Sequence, residues 1–336
     1  MTARRKPRSR NRRQIWFNLH LWIGWAAALP ILAICLTGIA LAFEHEIYQW
    51  EQPEFYALPP EQDRLSLPEI LQIYEAAHPR IHLNYLDVPD SPDRAYLAFA
   101  SEINEDGQRT RPLRAYVNPY SGALTREYEN PTWIRKIEVW HRTLGMETAG
   151  RWIIAISSSL LAITSVVGII LWWPTRGRTF VRALLRRRPL DWHNAFGLLT
   201  LLPLLILSLT GITFTWGKWA WPVLDKLQGS PSHTLAPEIP ASADTETNPD
   251  HWVRLSDLSR SIQAEYPESR IIGVQSSLSA TRPYRFHLKQ SGDIHPGGSL
   301  KLFYNPVSGD LLSESRTGDL GPIGWYRRYF YILHTG

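Results

Sequence analysis

HLWIGWAAALPILAICLTGIALAF (residues 20–43) and HNAFGLLTLLPLLILSLTGITFTW (residues 193–216) are two versions of one segment. Laid over each other without a gap, they coincide at His20/His193, Gly24/Gly197, Leu29/Leu202, Pro30/Pro203, Leu36/Leu209, Thr37/Thr210, Gly38/Gly211 and Ile39/Ile212. Each opens on a histidine and then runs without Asp, Glu, Lys or Arg for the length of a membrane crossing, which takes about 20 apolar residues of helix. The charge-free runs extend from Leu19 to Phe43 and from Phe196 to Trp216, and a third lies between them from Trp152 to Trp173. The mean hydropathy of −0.22 conceals these runs, because polar stretches rich in Pro, Asp, Glu and Ser alternate with them. Trp16, Trp22, Trp25, Trp172, Trp173, Trp216, Trp219 and Trp221 cluster at the ends of the runs, where aromatic rings settle at a membrane–water interface. The first run is too long for a signal peptide, and no small-residue cleavage site follows it. The chain is read as an integral membrane protein.

Orientation follows from basic residues beside the spans. The N-terminus carries Arg4, Arg5, Lys6, Arg8, Arg10, Arg12 and Arg13, and the loop after the second span carries Arg176, Arg178, Arg182, Arg186, Arg187 and Arg188. Both are predicted to be cytoplasmic. These juxtamembrane clusters account for the net charge of +5, so nucleic acid is not an expected partner, whereas membrane lipid is. The single cysteine, Cys35, lies in mid-span and reads as a small packing residue.

The repeat continues outside the spans. LSLPEILQIYEAAHP (65–79), RAYLAFA (94–100) and AYVNPYSGALTREY (115–128) are answered by VRLSDLSRSIQAEYP (253–267), PYRFHLKQ (283–290) and LFYNPVSGDLLSES (302–315). Each set predicts a Ser-capped helix, at Ser66 and Ser256, followed by strands and a hairpin turn of the form Asn-Pro-x-Ser-Gly. Each outer segment therefore reads as a small α+β module. After each module an aromatic, basic stretch approaches another histidine: WIRKIEVWHRTLG reaches His141 and WYRRYFYILHTG reaches His334.

The expected fold is an α-helical membrane bundle of four spans in two repeats, the fourth truncated, with two small α+β periplasmic modules. Its parts are a basic cytoplasmic N-terminus (1–18), span 1 (19–43), module 1 (44–132), an interfacial helix with span 2 (133–174), a basic cytoplasmic loop (175–192), span 3 (193–217), module 2 (218–324) and the start of span 4 (325–336).

Four histidines occupy repeat-equivalent positions: His20 and His193 at the cytoplasmic ends of odd spans, His141 and His334 at the outer ends of even ones. Ionisable residues facing a bundle interior are costly and mark function, and histidine is an axial ligand of haem. Gly24, Gly145 and Gly197 follow three of the four by one helical turn, which would leave room for a flat macrocycle. Zinc would want four ligands converging on one point, whereas these divide between opposite faces of the membrane. The reading is two b haems, His20 with His193 for an inner one and His141 with His334 for an outer one. His45 competes for the outer site, although its repeat equivalent is Lys218. Arg142, Arg151, Arg327 and Arg328 are candidates for haem propionates, with lipid headgroups the alternative. The remaining histidines, His78, His82, His233, His251, His287 and His295, read as mostly solvated. No CxxCH, HExxH, GxGxxG or GxxxxGKS occurs, so thioether-linked haem is excluded and no flavin or nucleotide site is visible.

The paired HxxxG…LTGI spans, WHRTLG…GRW…LWWPTRG (140–177) and the two hairpins YVNPYSG and FYNPVSG resemble the PepSY-associated transmembrane family, the iron-regulated proteins of the bacterial inner membrane. The resemblance covers nearly the whole chain and implies PepSY-like modules in the periplasm. It also implies a di-haem enzyme that reduces ferric siderophore there, and an external electron donor, either quinol or a cytoplasmic reductase. The rival expectations are a non-haem PepSY-type membrane regulator or binding protein, and a siderophore permease.

Overall fold

The structure, a computed structural model, describes residues 8–58, 64–78, 80–104, 108–126, 132–174, 179–186, 188–240 and 252–335. Arg4, Arg5, Lys6, Arg176, Arg178, Arg187 and His251 lie outside the described residues. The chain folds into two compact units, the first made of residues 1–44, 132–223 and 329–336, the second of 45–131 and 224–328.

The first unit is helical. Helix α1 (Arg8–Leu41) contains the first charge-free run. After α2 (Glu44–Glu51), α3 (Pro53–Tyr56) and α4 (Leu67–Ala77) of the intervening segment come α5 (Trp133–Thr143), α6 (Glu147–Trp172), α7 (Thr179–Arg186) and α8 (Pro189–Gln228). Arg12–Leu41, Glu147–Trp172 and Pro189–Gln228 are each long and apolar enough to cross a membrane. Their apolar side chains face outward: Trp25 is 72% exposed and Leu29 77%. On a water-facing surface such a wall would drive aggregation, whereas around a helix of this length it matches lipid. Pro30 and Pro203 sit inside α1 and α8 without ending them, as spanning helices allow. Where the repeat predicts a fourth span stands α10 (Gly321–Thr335), of 15 residues, with His334 in its last turn.

The helix bearing His141 is separate from the second span. Thr132 caps α5 by accepting a hydrogen bond from the Arg135 amide, and Leu144 ends it in the left-handed conformation at φ 49°. Gly145 follows at φ 72°. The expectation that Gly145 lies one helical turn beyond His141 on the same face is therefore corrected: it forms the turn between α5 and α6, where a positive φ favours glycine.

The second unit is a sheet with helices packed on it. Helix α4 is followed by β1 (Ile81–Asp87), β2 (Tyr96–Ile103), β3 (Arg109–Val117) and β4 (Leu124–Arg126). Helix α9 (Leu255–Glu265) is followed by β5 (Ser269–Gln275), β6 (Tyr284–Gln290), β7 (Leu300–Tyr304) and β8 (Leu311–Arg316). The two sets do not form separate modules, which corrects that expectation. They share one antiparallel eight-stranded sheet of order β4-β3-β2-β1-β5-β6-β7-β8. The seam is the β1–β5 pair, in which Tyr85, Leu86 and Asp87 face Gln275, Val274 and Gly273.

One core runs beneath both halves: Ile70 and Leu71 from α4 and Ile262 from α9 pack on Leu86, Val117, Val274, Phe286, Leu288 and Leu302. Each such side chain contributes about 1.5–3 kcal/mol when buried. Ser66 caps α4 in a capping box with Glu69, as its sequence predicts. Ser256 does not cap α9. Arg254 holds that position, and the Ser256 hydroxyl donates to the Glu75 carboxylate at 3.1 Å, a tie between the two helices. Both Asn-Pro-x-Ser-Gly turns form alike. Asn118 Oδ1 accepts from the amides of Tyr120 and Ser121, and Asn305 Oδ1 from those of Val307 and Ser308. Gly122 and Gly309 supply φ of 70° and 77°.

Candidate functional site

Within the first unit the four repeat-equivalent histidines meet in two pairs. The rings of His20 (α1) and His193 (α8) have centroids 5.9 Å apart at 73°. Those of His141 (α5) and His334 (α10) are 6.1 Å apart at 59°.

Three of these rings are held by threonines. His20 Nδ1 lies 3.1 Å from both the carbonyl oxygen and the hydroxyl of Thr164 on α6. His141 Nδ1 lies 3.1 Å from the Ile34 carbonyl and 3.0 Å from Thr37 Oγ1, both on α1. His334 Nδ1 lies 2.8 Å from Thr210 Oγ1 on α8. A carbonyl only accepts, so Nδ1 of His20 and of His141 carries the proton. The Thr210 hydroxyl spends its own proton on the Ile206 carbonyl at 2.7 Å, so its oxygen accepts from His334. In each ring the lone pair is left on Nε2, the tautomer that binds a metal with its second nitrogen oriented by the protein.

Glycines give the rings their places. A Cβ on Gly38 would stand 3.3 Å from His141 Cε1, one on Gly168 would stand 3.2 Å from His20 Cε1, and one on Gly211 would stand 3.7 Å from His334 Cε1. Gly24 and Gly197 have nothing within 4 Å of a built Cβ, so open space lies beside the helices where room was predicted. The Thr-Gly pairs 37–38 and 210–211 belong to the coincident positions of the repeat, which was the available signal for them. Among the described residues no three His, Cys, Asp or Glu side chains group to hold a metal ion. Each site thus offers two imidazoles.

A family model described as the PepSY-associated TM region matches residues 17–336. The chain belongs to this family. No curated protein matches it.

In this PepSY-associated chain the arginines named from the sequence have varied surroundings. Arg142 forms a 3.0 Å ion pair with Glu138 on α5, and Arg151 is exposed on α6. Within the second unit, Arg327 donates to Ser232 Oγ at 3.3 Å and meets His233 Nδ1 at 3.1 Å. Arg328 donates to the Gly297 and Gly298 carbonyls. The ring nitrogens of His45 face the Arg94 guanidinium and Gln49.

Three of the histidines expected to be mostly solvated are shielded from water instead. Burial, with Arg109 nearby, lowers His82 to about 4. It lowers His287 to about 3, helped by Lys301, Arg285 and Arg328. His295, beside Arg328 and Lys301 with Asp293 opposing them, falls to about 4.

Proposed function

We propose that this membrane protein binds two b haems through His20 with His193 and His141 with His334, and passes electrons to ferric siderophore in the periplasm, releasing ferrous iron. The observation that carries the reading is the pair of ring separations, 5.9 and 6.1 Å. Two metal–nitrogen bonds of about 2 Å, with the ring radius added on each side, put facing imidazole centroids roughly 6 Å apart. The ligand number fits as well, since a bis-histidine haem asks the protein for two ligands and zinc asks for four.

A haem so bound supplies one-electron redox chemistry. The chain's own residues do the rest. The histidines bind through Nε2, Thr164, Thr37 and Thr210 hold the imidazole planes and raise their basicity through Nδ1, and Gly24 and Gly197 keep the neighbouring space open. The substrate comes from the family resemblance: ferric iron gains one electron and leaves its chelate as ferrous iron. With no flavin or nucleotide motif in the sequence, the electron comes from quinol or a reductase outside the chain. The positive-inside rule, applied to the basic residues beside α1 and α8, supports a cytoplasmic N-terminus, and the family resemblance supports a bacterial inner membrane with the sheet unit in the periplasm.

The test is stopped-flow reoxidation of the dithionite-reduced, detergent-purified protein by ferric siderophore, with a ferrous-specific chelator as trap. Reoxidation with one ferrous ion formed per electron supports the reading, and a reduced spectrum unchanged by any ferric siderophore contradicts the substrate.

A further inference from the structure

The sheet of the second unit has one face covered by α4 and α9. Along β6, Tyr284, Phe286 and Leu288 enter that core, so the alternating Arg285, His287 and Lys289 lie on the opposite face. On β7 the same alternation puts Lys301 and Phe303 there, and the register sets His287 directly across from Lys301 and Arg285 across from Phe303. Gly273 on β5, across from His287, has no side chain, and the Tyr85 ring occupies the space above it. From there Tyr85 meets the His287 ring edge-on at 5.9 Å.

These groups have few partners for the water they have lost. Arg285 lies over the Phe303 ring at 5.0 Å, and its Nε is buried without a hydrogen bond. Lys301 donates to Thr234 Oγ1 at a long 3.4 Å. Among the described residues, His287 has the Tyr85 contact and no hydrogen bond. The charged groups acting on Lys301 are all positive: Arg328, Arg285 and Arg327. Burial and this neighbourhood hold Lys301 down to about 8. The acids nearby are committed elsewhere. Asp293 accepts from the Gln290 and Ser299 amides, and Asp87 acts on Tyr85 and is itself offset by Arg94.

Among the described residues no carboxylate acts on half-buried Arg285 or Lys301, and like charges gathered in this way are costly, so stability does not account for them. A guanidinium stacked on a ring, an ammonium and a phenol hydroxyl on neighbouring strands are a donor set for oxyanions. We propose that Arg285, Lys301 and His287, with Arg328 beside them and Tyr85 at the margin, bind an anion through its carboxylate or phosphate oxygens. The site lies within the sheet unit and does not depend on the haem reading. Its ligand is a soluble polyvalent oxyanion or the headgroup of an acidic lipid, two sources of one chemistry.

The test uses the full chain purified in detergent at low ionic strength. Citrate and inorganic phosphate are titrated calorimetrically as soluble probes, and phosphatidylglycerol nanodiscs serve as the lipid probe, read by thermal shift against phosphatidylcholine nanodiscs. Saturable binding of at least one probe is expected. Arg285→Gln and Lys301→Gln should each weaken it about tenfold or more, the worth of one charge-assisted hydrogen bond. Lys301→Arg should retain it, and so should Lys289→Gln, whose side chain on the same face is paired with Asp90 at 3.3 Å. Citrate or phosphate binding lost in the two Gln variants assigns a soluble ligand. A stabilisation seen only with phosphatidylglycerol and lost in the same variants assigns a lipid headgroup. Failure of all three probes to bind, or binding equal in wild type and in both Gln variants while each melts as a folded protein, overturns the proposal.

Discussion

Thr37 and Thr210 were visible in the repeat before their contacts were. Both stand in LTGI, at coincident positions, and each turns its hydroxyl to the histidine of a different helix, Thr37 to His141 at 3.0 Å and Thr210 to His334 at 2.8 Å. A one-dimensional pattern marks such a residue as repeated and cannot say what lies across the helix interface. The histidine pairs themselves were legible, because repeat symmetry relates the two members of each. Gly145 was misread because a glycine one turn downstream assumes a continuing helix, and α5 stops at Thr143. Gly168→Val is expected to push His20 aside, since its Cβ would already stand 3.2 Å from the ring. Haem affinity of the His20–His193 pair should fall about 10–100-fold, as for loss of ligand orientation, with the His141–His334 pair and the melting of the sheet unit unchanged. Thr210→Val should do the same to the His141–His334 pair. Haem titration of each variant, read by pyridine haemochrome, checks both, and full occupancy in both variants would remove the orienting role.

At the scale of elements, the hairpins were the readable part. Asn-Pro-x-Ser-Gly sets an Asx turn and a positive-φ glycine by local chemistry alone. Strands β1 and β5 were missed, since His82, Asn84 and Gly273 interrupt their apolar alternation. The seam between them was not legible, because no local pattern states which sheet edges meet. One consequence of that sheet is its response to acid. His82, His287 and His295 titrate near 4, 3 and 4 in the folded protein, against about 6.5 in an unfolded chain. Between those values the unfolded state binds protons that the folded state refuses, so stability falls as pH drops below about 6.5. For His287, beside the Tyr85 ring, the charged groups acting on it are Lys301 and Arg285 in the sheet and Arg328, all positive, and they oppose its protonation further. The melting temperature of the sheet unit should therefore decline from pH 7 to pH 4.5, and His287→Gln should flatten the decline. Differential scanning fluorimetry across that range measures it, and parallel curves for wild type and variant would show that His287 is not the group responsible.

For the whole molecule, composition and spacing sufficed for a multi-span membrane chain, because three apolar helices near 20 residues or longer have no other stable environment. The division into a helical unit and a sheet unit also followed from the repeat, whereas the merging of two modules into one sheet required the tertiary structure. The helical unit supplies two facing pairs of imidazoles, each with Nε2 left for a metal and threonine or backbone oxygen behind three of the four rings. That two haems fill those pairs is the claim on which electron transfer rests. Its most direct measurement is haem stoichiometry in the protein purified from cells supplied with haem, by dithionite-reduced minus oxidised spectrum and pyridine haemochrome, for wild type, His20→Ala and His141→Ala. Two b haems per chain are expected in wild type and one in each variant. A folded wild-type protein without haem, or variants that keep both haems, would contradict it.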